Sequence, residues 1–260
     1  ALLGALFSLY LLYLLWEAHA VRIARKKLAH VVHVNGTRGK STVSRLIEAG
    51  LRAGGLRVFC KTTGTDPMTI DVNGREELIC RRGKANIKEQ IAVLRRAAAQ
   101  NAQVLVVECM AITPEFQQTS QHDILRADIG VITNVRRDHM DVMGDTLPRI
   151  ADALCHTVPR RGILFTAETV MTEWLKAAVE KNGSCFICTR ALFARPLRAF
   201  AVPTGKGRIH WRAFYQRYPV DLHGVGEAVR GAWMAGKTTD AAYQQPRRPC
   251  QPHGGYAARL

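Results

Sequence analysis

The sequence predicts an α/β fold built on a parallel sheet that carries a phosphate-binding loop. Short apolar runs alternate with segments whose apolar residues recur at helical spacing, which is typical of strand–helix–strand units. A glycine-punctuated turn joins the first run to the first such helix, and a later apolar run ends in a glutamate. With 260 residues and 47% hydrophobic content, the chain is long enough to bury a sizeable core.

The glycine-punctuated turn is Asn35-Gly36-Thr37-Arg38-Gly39-Lys40-Ser41-Thr42, and it lies between a predicted strand, Ala29–Val34, and a predicted helix, Ser41–Ala53. A loop that opens a helix presents unpaired N–H groups and the positive end of the helix dipole to an anion. Glycine lets the backbone approach that anion closely. An ordinary surface turn is the alternative, and the strand–loop–helix context favours phosphate binding.

The end of this turn carries the residue types of a nucleotide site. Lys40 is placed to reach the β- and γ-phosphates, and the Ser41 hydroxyl is placed to ligate Mg²⁺. The standard P-loop has a glycine five residues before Gly39, where this chain has Val34. The turn is therefore a shortened variant of that loop, which disfavours a P-loop kinase or GTPase.

Two further apolar runs end in polar residues that would reach the same edge of the sheet. Val104–Val107 is followed by Glu108, and Ile129–Thr133 is followed by Asn134 and then His139. The carboxyl ends of parallel strands meet at one edge, beside the phosphate loop. A lone histidine is more often a surface or core residue, but the neighbouring loop and glutamate favour a ligand role here.

A fourth polar segment, Lys61-Thr62-Thr63-Gly64-Thr65, follows the predicted strand Arg57–Cys60. At the sheet edge it would contact an acceptor carboxylate or the γ-phosphate, although Thr and Gly are also common in plain turns. The other predicted strands are Met68–Asp71 and Glu77–Cys80, which form a hairpin, Gly162–Thr166 and Ser184–Cys188; the other predicted helices are Asn86–Asn101, Leu147–His156 and Thr169–Asn182.

These motifs give the chain a family resemblance. Asn35 through Thr42, Lys61 through Asp66, Glu108 through Ala111 and Asn134 through Gly144 resemble, in this order, the ligase subunits of poly-γ-glutamate synthases, a family of the Mur ligase superfamily. The resemblance runs from about Arg22 to Thr189 and implies a P-loop domain of the Mur ligase central-domain type. The implied activity is that of an ATP-dependent acid–amino-acid (amide) ligase, which adds glutamate to poly-γ-glutamate through an acyl phosphate.

The resemblance also implies roles for individual residues and implies ATP and Mg²⁺ as cofactors. Lys40, Glu108 and His139 would be catalytic, and Ser41, Glu108 and His139 would hold the metal. The nucleotide would be bound by Asn35, Gly36, Thr37, Arg38, Gly39, Lys40, Ser41, Thr42 and Asn134. Substrate would be contacted by Lys61, Thr62, Thr63, Gly64 and Thr65. The implied partners are glutamate, poly-γ-glutamate and other membrane subunits of a polymer synthase, and no nucleic acid is expected.

The amino-terminal segment predicts a membrane anchor over residues 1–20. Ala1–Trp16 carries no charge and is rich in Leu, Ala, Tyr and Phe, and four basic residues follow, Arg22, Arg25, Lys26 and Lys27. Basic residues next to an apolar span favour a cytoplasmic location for the domain that follows. A cleaved signal peptide is the alternative, because Ala18-His19-Ala20 offers a small-x-small cleavage site.

The last part of the chain has a different composition. Residues 190–260 hold 12 Lys and Arg against 3 Asp and Glu, in a chain whose formal net charge is +16. We expect an irregular basic tail there, disordered or read in a shifted frame, after an incomplete ATP-binding domain over residues 21–189. The expectation is a truncated ligase of impaired activity; the alternative is an inactive nucleotide-binding remnant or a partner-binding subunit.

Overall fold

The computed structural model describes residues 2–64, 66–81, 83, 86–189, 202–203 and 209–210. The strands are β1 (His30–Asn35), β2 (Val58–Lys61), β3 (Met68–Ile70), β4 (Glu76–Leu78), β5 (Val104–Glu108), β6 (Ile129–Ile132), β7 (Ile163–Thr166), β8 (Cys185–Cys188), β9 (Val202–Pro203) and β10 (Ile209–His210). The helices are α1 (Leu2–Lys26), α2 (Lys40–Ala53), α3 (Glu89–Ala99), α4 (Pro114–Gln118), a π-helical turn (Thr119–Leu125), α5 (Met140–Met143), α6 (Leu147–Cys155) and α7 (Thr172–Lys181).

The main sheet has eight strands in the order β4-β3-β2-β5-β1-β6-β7-β8. Six neighbouring strands run parallel, namely β2, β5, β1, β6, β7 and β8. The β3–β4 hairpin adds two antiparallel strands at one edge. The expected α/β fold with a parallel sheet is confirmed, as is the apolar amino-terminal helix. The predicted tail over residues 190–260 lies outside the described residues, apart from the short antiparallel pair β9–β10.

Successive side chains of the central strands point to opposite faces of the sheet, so the core is divided between the two faces. Val31, Leu105 and Val107 point into a cluster covered by α1, α3 and the π-helical turn. Their neighbours in sequence point to the opposite face, where α2 packs. A third cluster, under α6 and α7, covers the β6–β7–β8 end of the sheet. The site loops are thus held by strands that are buried on both faces.

Several elements differ in their bounds from the expectations, and the short helix α5 was not predicted. The helix predicted over Asn86–Asn101 is shorter, Glu89–Ala99, because Asn86 and Ile87 form a turn that leads into it. The stretch 114–125, for which no helix was predicted, forms α4 and the π-helical turn. Its buried face is polar, with Gln117, Ser120 and Gln121 inside, so apolar periodicity carried no signal there.

Asp128 joins the end of α1 to the start of the sheet. Its carboxylate pairs with the Arg25 guanidinium at 3.0 Å, lies 2.5 Å from His30 Nδ1 and accepts the Val31 N–H at 2.7 Å. The hydrogen bond to Asp128 raises the pKa of His30 against the effect of burial. Burial favours the neutral form of Asp128, but the bonds from His30 and Val31 and the charge of Arg25 outweigh it and lower its pKa.

We expect Asp128→Asn to lower the free energy of unfolding by about 1–2 kcal/mol, with a definite pH dependence. The contribution of Asp128 is present above the ordinary aspartate pKa of about 4 and is lost on acidification. The contribution of His30 is present below its ordinary pKa of about 6.5 and is lost as pH rises through its raised value. Denaturant unfolding should therefore show the largest difference from wild type between these two values and a smaller one in alkali; a pH-independent difference would contradict the prediction.

Candidate active site

The carboxyl ends of four parallel strands meet at one edge of the sheet and bring the predicted site residues together. The register places Val34 opposite Glu108 and Asn35 opposite Ile132, so β1 stands between β5 and β6. Lys61 at the end of β2 lies opposite Val107. Segments that are far apart in sequence therefore share one cleft, as the parallel arrangement requires.

Two glycines shape the loop for different reasons. Gly36 has φ +127°, and a Cβ at this position would lie 2.1 Å from Thr133 Oγ1 and 2.9 Å from the Thr133 backbone nitrogen. Gly39 has φ +77° and open space where a Cβ would be. Gly36 is thus required by close packing against the chain after β6, whereas Gly39 is required by its left-handed backbone alone. Val34 is an interior residue of β1, which explains the shortened loop.

Helix α2 begins immediately after the loop, at Lys40. Gly39 offers no side chain to cap the helix, so the N–H groups of Lys40, Ser41 and Thr42 are free of intrahelical partners and open to an anion. Lys40 Nζ donates to Gly36 O at 2.8 Å and to Thr37 O at 3.4 Å. An ammonium has three donors, so one remains for a phosphate oxygen.

Glu108 is the acidic centre of the site. Only 3% of Glu108 is exposed, and its Oε2 accepts the Ser41 hydroxyl at 2.8 Å and the Thr63 N–H at 2.6 Å. One carboxylate oxygen thus joins the first turn of α2 to the segment after β2. Ser41 and Glu108, two of the three residues that the resemblance implies as metal ligands, are in direct contact.

Asn134 holds the loop from the other side. Its Oδ1 accepts the Thr37 hydroxyl at 2.7 Å and the Arg38 N–H at 3.2 Å, and its Nδ2 donates to Arg38 O at 3.0 Å. The Arg38 guanidinium is exposed and pairs with Asp138 at 3.3 Å. The side chain of Asn134 is therefore committed to the loop backbone, where it fixes the shape of the phosphate cradle.

Asn35 points into the protein. It is 1% exposed, and its Nδ2 donates to Gln117 Oε1 at 2.8 Å and to Thr157 Oγ1 at 3.1 Å. Gln117 in turn donates to Ile112 O at 2.9 Å. This chain of hydrogen bonds connects the start of the phosphate loop to the segment after β5. Asn35 therefore supports the loop from inside the protein.

Lys61 is fully buried, with 0% exposure, and its Nζ pairs with Glu89 Oε1 at 2.9 Å. Burial lowers the pKa of Lys61, while Glu89 acts against that effect. Arg81 binds the same carboxylate with two hydrogen bonds, at 2.7 and 3.0 Å. The triad carries one net positive charge at the cleft wall. Thr62 is buried and Gly64 is exposed, and Thr65 lies outside the described residues.

A cleft of about 240 Å³ lies beside these groups. Its walls come from the loop, the segments after β2, β4 and β5, and α5 with its cap: Asn35, Lys40, Thr63, Arg81, Cys109, Met110, Ala111, Ile112, His139 and Met143. His139 caps the short helix α5 with a left-handed backbone, φ +45°, and is exposed. The structure thus places His139 in the same cleft as Lys40.

Sequence reasoning missed Glu168, Gln117, Glu89 and Arg81. Glu168 is 1% exposed and accepts N–H groups from Val135 and Val170, at 2.6 and 2.7 Å, so it braces the segment that follows β6. Although burial opposes ionisation, these backbone hydrogen bonds lower its pKa. The available signal was its place just after the predicted strand ending at Thr166, the same pattern that identified Glu108.

The fold and the loop define a P-loop α/β protein, in which a glycine turn between a central strand and a helix faces an acidic strand end. The family model "Mur ligase middle domain" matches residues 34–186. The chain belongs to the Mur ligase family.

Two curated relatives share substantial sequence identity with the chain. It is 36% identical over 185 residues to "Capsule biosynthesis protein CapB" of Bacillus anthracis, covering 70% of this chain and 40% of that protein. It is 43% identical over 159 residues to "PGA synthase CapB" of Bacillus subtilis (strain 168), covering 60% of this chain and 40% of that protein. The chain therefore spans about two fifths of the length of these relatives.

A solved structure, the "FPGS-AMPPCP-folate complex", is similar in fold, with a TM-score of 0.50 and 19% sequence identity. The similarity covers 67% of this chain and 48% of that one. It supports the arrangement of strands and helices described above.

The two loop glycines should differ sharply in tolerance. Gly39→Ala should cost about 1–2 kcal/mol of stability, the penalty of a left-handed alanine. Gly36→Ala should cost a further 1–3 kcal/mol or so, because Thr133 and the backbone of Asn134 must move. Thermal unfolding of the two variants checks this order, and equal losses would show that the loop does not pack as described.

Proposed function

We propose that this chain supplies the ATP-binding part of an amide ligase that adds glutamate to poly-γ-glutamate. The observation that carries the proposal is the contact between Ser41 and Glu108 at 2.8 Å, beside Lys40 at the start of α2. This pairing of a helix-opening hydroxyl with a strand-end carboxylate is suited to a metal–triphosphate complex. Membership of the Mur ligase family and identity with the two CapB proteins support the substrate.

The proposed reaction has two steps. A terminal carboxylate oxygen of the acceptor attacks the γ-phosphorus of ATP, the bond to the β–γ bridging oxygen breaks, and ADP leaves. The amine of the incoming glutamate then attacks the acyl carbon, inorganic phosphate leaves with the bonding pair, and the nitrogen gives up a proton. Most of the protein's contribution is positioning and electrostatic stabilisation.

The loop residues would bind the triphosphate. The free N–H groups at the start of α2 would face the phosphates, and the third donor of Lys40 would reach the β- and γ-oxygens. Gly36 lets the loop pack against Thr133, Gly39 allows its left-handed turn, and Thr37, Arg38 and Asn134 hold its backbone in place. Asn35 would act through that backbone, since its amide is bonded to Gln117 and Thr157.

The donor set at the loop fits magnesium. Ser41 Oγ and Glu108 Oε2 are hard oxygen ligands within 2.8 Å of each other, and Mg²⁺ completes its shell with water and phosphate oxygens. Among the residues that the structure describes, no three His, Cys, Asp or Glu side chains form a metal cluster, so the nucleotide would supply part of the shell. The bound ion would neutralise charge on the transferred phosphoryl group. His139, a nitrogen donor that lines the same cleft, would be the third ligand that the resemblance implies.

The cleft beyond the loop would receive the acceptor. The Thr63 and Gly64 segment lies against Glu108, and Arg81 with Lys61 leaves a net positive wall that suits a carboxylate. Of the predicted substrate segment from Lys61 to Thr65, Thr63 lines the cleft, whereas the buried Lys61 and Thr62 would act from behind its wall. Arg81 is an addition that the structure suggests.

Helix α1 supports an anchoring role for residues 1–20, ahead of the ATP-binding domain over residues 21–189. It is long and apolar enough to cross a membrane by length and composition, with an 18-residue stretch of mean hydropathy 1.4, and a signal sequence would pass the same test. We propose that α1 holds the domain at a membrane with the nucleotide cleft on the cytoplasmic side, where other subunits of the synthase would join it.

Lys40→Ala should abolish glutamate-dependent phosphate release from ATP, because it removes the cation that contacts the phosphates. Lys181→Ala, at the exposed end of α7, is the matched control and should keep wild-type release. A chain that binds ATP through Lys40 without releasing phosphate would favour the alternative, a nucleotide-binding remnant or partner subunit. Release that persists in Lys40→Ala would overturn the ligase assignment to this loop.

Glu108→Gln tests the metal. We expect wild type to bind ATP more tightly with Mg²⁺ than without it. In the variant, the ratio of ATP affinity with Mg²⁺ to that without it should fall at least about tenfold. Calorimetric titration with and without Mg²⁺ measures the difference directly. An unchanged magnesium dependence would remove Glu108 from the metal site, while unchanged affinity without metal shows that the loop is still folded.

A further inference from the structure

The last turns of α1 are firmly attached to the domain, in contrast to the rest of that helix. Val21, Ala24 and the following Leu28 are buried with the core residues of α3. Arg25 donates to Arg126 O at 3.1 Å and pairs with Asp128 at 3.0 Å. The apolar side chains from Leu2 to Trp16 are exposed. The foot of α1 is thus the place where an unpartnered apolar helix meets the folded domain.

Cations from three separate elements lie along α1 between Trp16 and this foot. Arg22, Lys26 and Lys27 come from α1 and the residue after it, and all three are exposed. Tertiary structure adds Arg95 of α3, whose guanidinium lies 5.4 Å from the centre of the Trp16 ring. It also adds Arg126, an exposed residue whose carbonyl is bound by Arg25. We call these five residues the basic collar.

Acidic groups do not balance the basic collar. Asp128 is already paired with Arg25 and His30. Glu17 accepts a hydrogen bond from the neutral Tyr13 hydroxyl at 3.2 Å and keeps its negative charge, one against five cations. Asp123, in the π-helical turn, is the acid near Arg126 in sequence. The collar therefore keeps an excess of positive charge, and exposed guanidinium and ammonium groups of this kind attract anionic surfaces.

The position of the collar along α1 indicates which anion it meets. Tyr13 and Trp16 lie where the apolar stretch ends, and aromatic side chains of this kind favour the headgroup depth of a bilayer. Arg95 stacks on Trp16 itself, so its charge lies at the same depth. A soluble polyanion would explain the charge but not its placement around the end of an exposed apolar helix.

We propose that the basic collar docks the domain onto anionic lipid headgroups. The docking rests on the membrane anchoring proposed above and goes beyond it. An anchor alone would leave the domain free to tilt, whereas cations on α3 and before β6 fix one face of the domain against the bilayer. Juxtamembrane Lys and Arg each contribute to such binding through the negative surface potential of the leaflet.

The test uses the full chain reconstituted in nanodiscs of phosphatidylcholine alone or of phosphatidylcholine mixed with phosphatidylglycerol. Hydrogen exchange of the segment 125–128, which carries the exposed Arg126, reports docking. We expect slower exchange in the anionic discs, and loss of this difference in the double variant Arg95→Gln/Arg126→Gln or in high salt. Removing two charges should lower the docked-to-free ratio about thirty-fold. Arg75→Gln/Lys181→Gln, two exposed cations at opposite ends of the sheet, is the matched control and should keep the difference.

Each failure has its own meaning. A chain that stays out of both kinds of disc overturns the anchor and the docking together. A chain that enters both with equal exchange, or whose control pair loses protection as the collar pair does, overturns the docking alone. Protection of the same loop by soluble polyglutamate or an oligonucleotide, without dependence on lipid charge, would assign the collar to a soluble polyanion instead. None of these outcomes bears on phosphate release, which tests the ligase proposal separately.

Discussion

The site depends on the central position of β1, which is hydrogen-bonded in parallel to β5 on one side and β6 on the other. This pairing brings Glu108 level with Val34 and brings Thr133 against Gly36. The phosphate loop therefore meets its acid on one side and its supporting asparagine on the other. A one-residue slip of either neighbour would turn these side chains to the wrong face of the sheet.

Around this edge, each of the buried charged groups described above has a hydrogen-bond or ion-pair partner. Glu108 accepts two hydrogen bonds, Lys61 is matched by Glu89, and Glu168 is surrounded by backbone N–H groups. Removing one partner from such a pair leaves a buried charge uncompensated, which is far more costly than the pair is stabilising. The network therefore specifies one loop geometry more than it adds to stability, which suits a site that acts through position.

The opposite edge of the sheet, where the amino ends of β1 and β6 lie, holds the amino-terminal helix. There Asp128 ties the end of α1 to β1 and to the loop before β6, so the amino-terminal helix continues into the domain without a flexible linker. One mostly polar contact thus fixes how an exposed apolar helix is oriented relative to the domain. Placement of the nucleotide cleft with respect to a membrane would follow from that contact.

The sequence by itself determined the eight strands of the main sheet, the phosphate loop, and Glu108 and His139 as residues of one edge, because strand pattern and glycine spacing are local signals. Only the tertiary structure decided that Asn134 and Asn35 support the loop, that Lys61 is buried against Glu89, and that Arg95 and Arg126 lie beside α1. Polar residues such as Gln117 and Glu168 gave no periodic signal, since their burial depends on partners distant in sequence. A local pattern fixes where a strand ends, but the partner of a buried polar group is chosen by how the strands and helices pack.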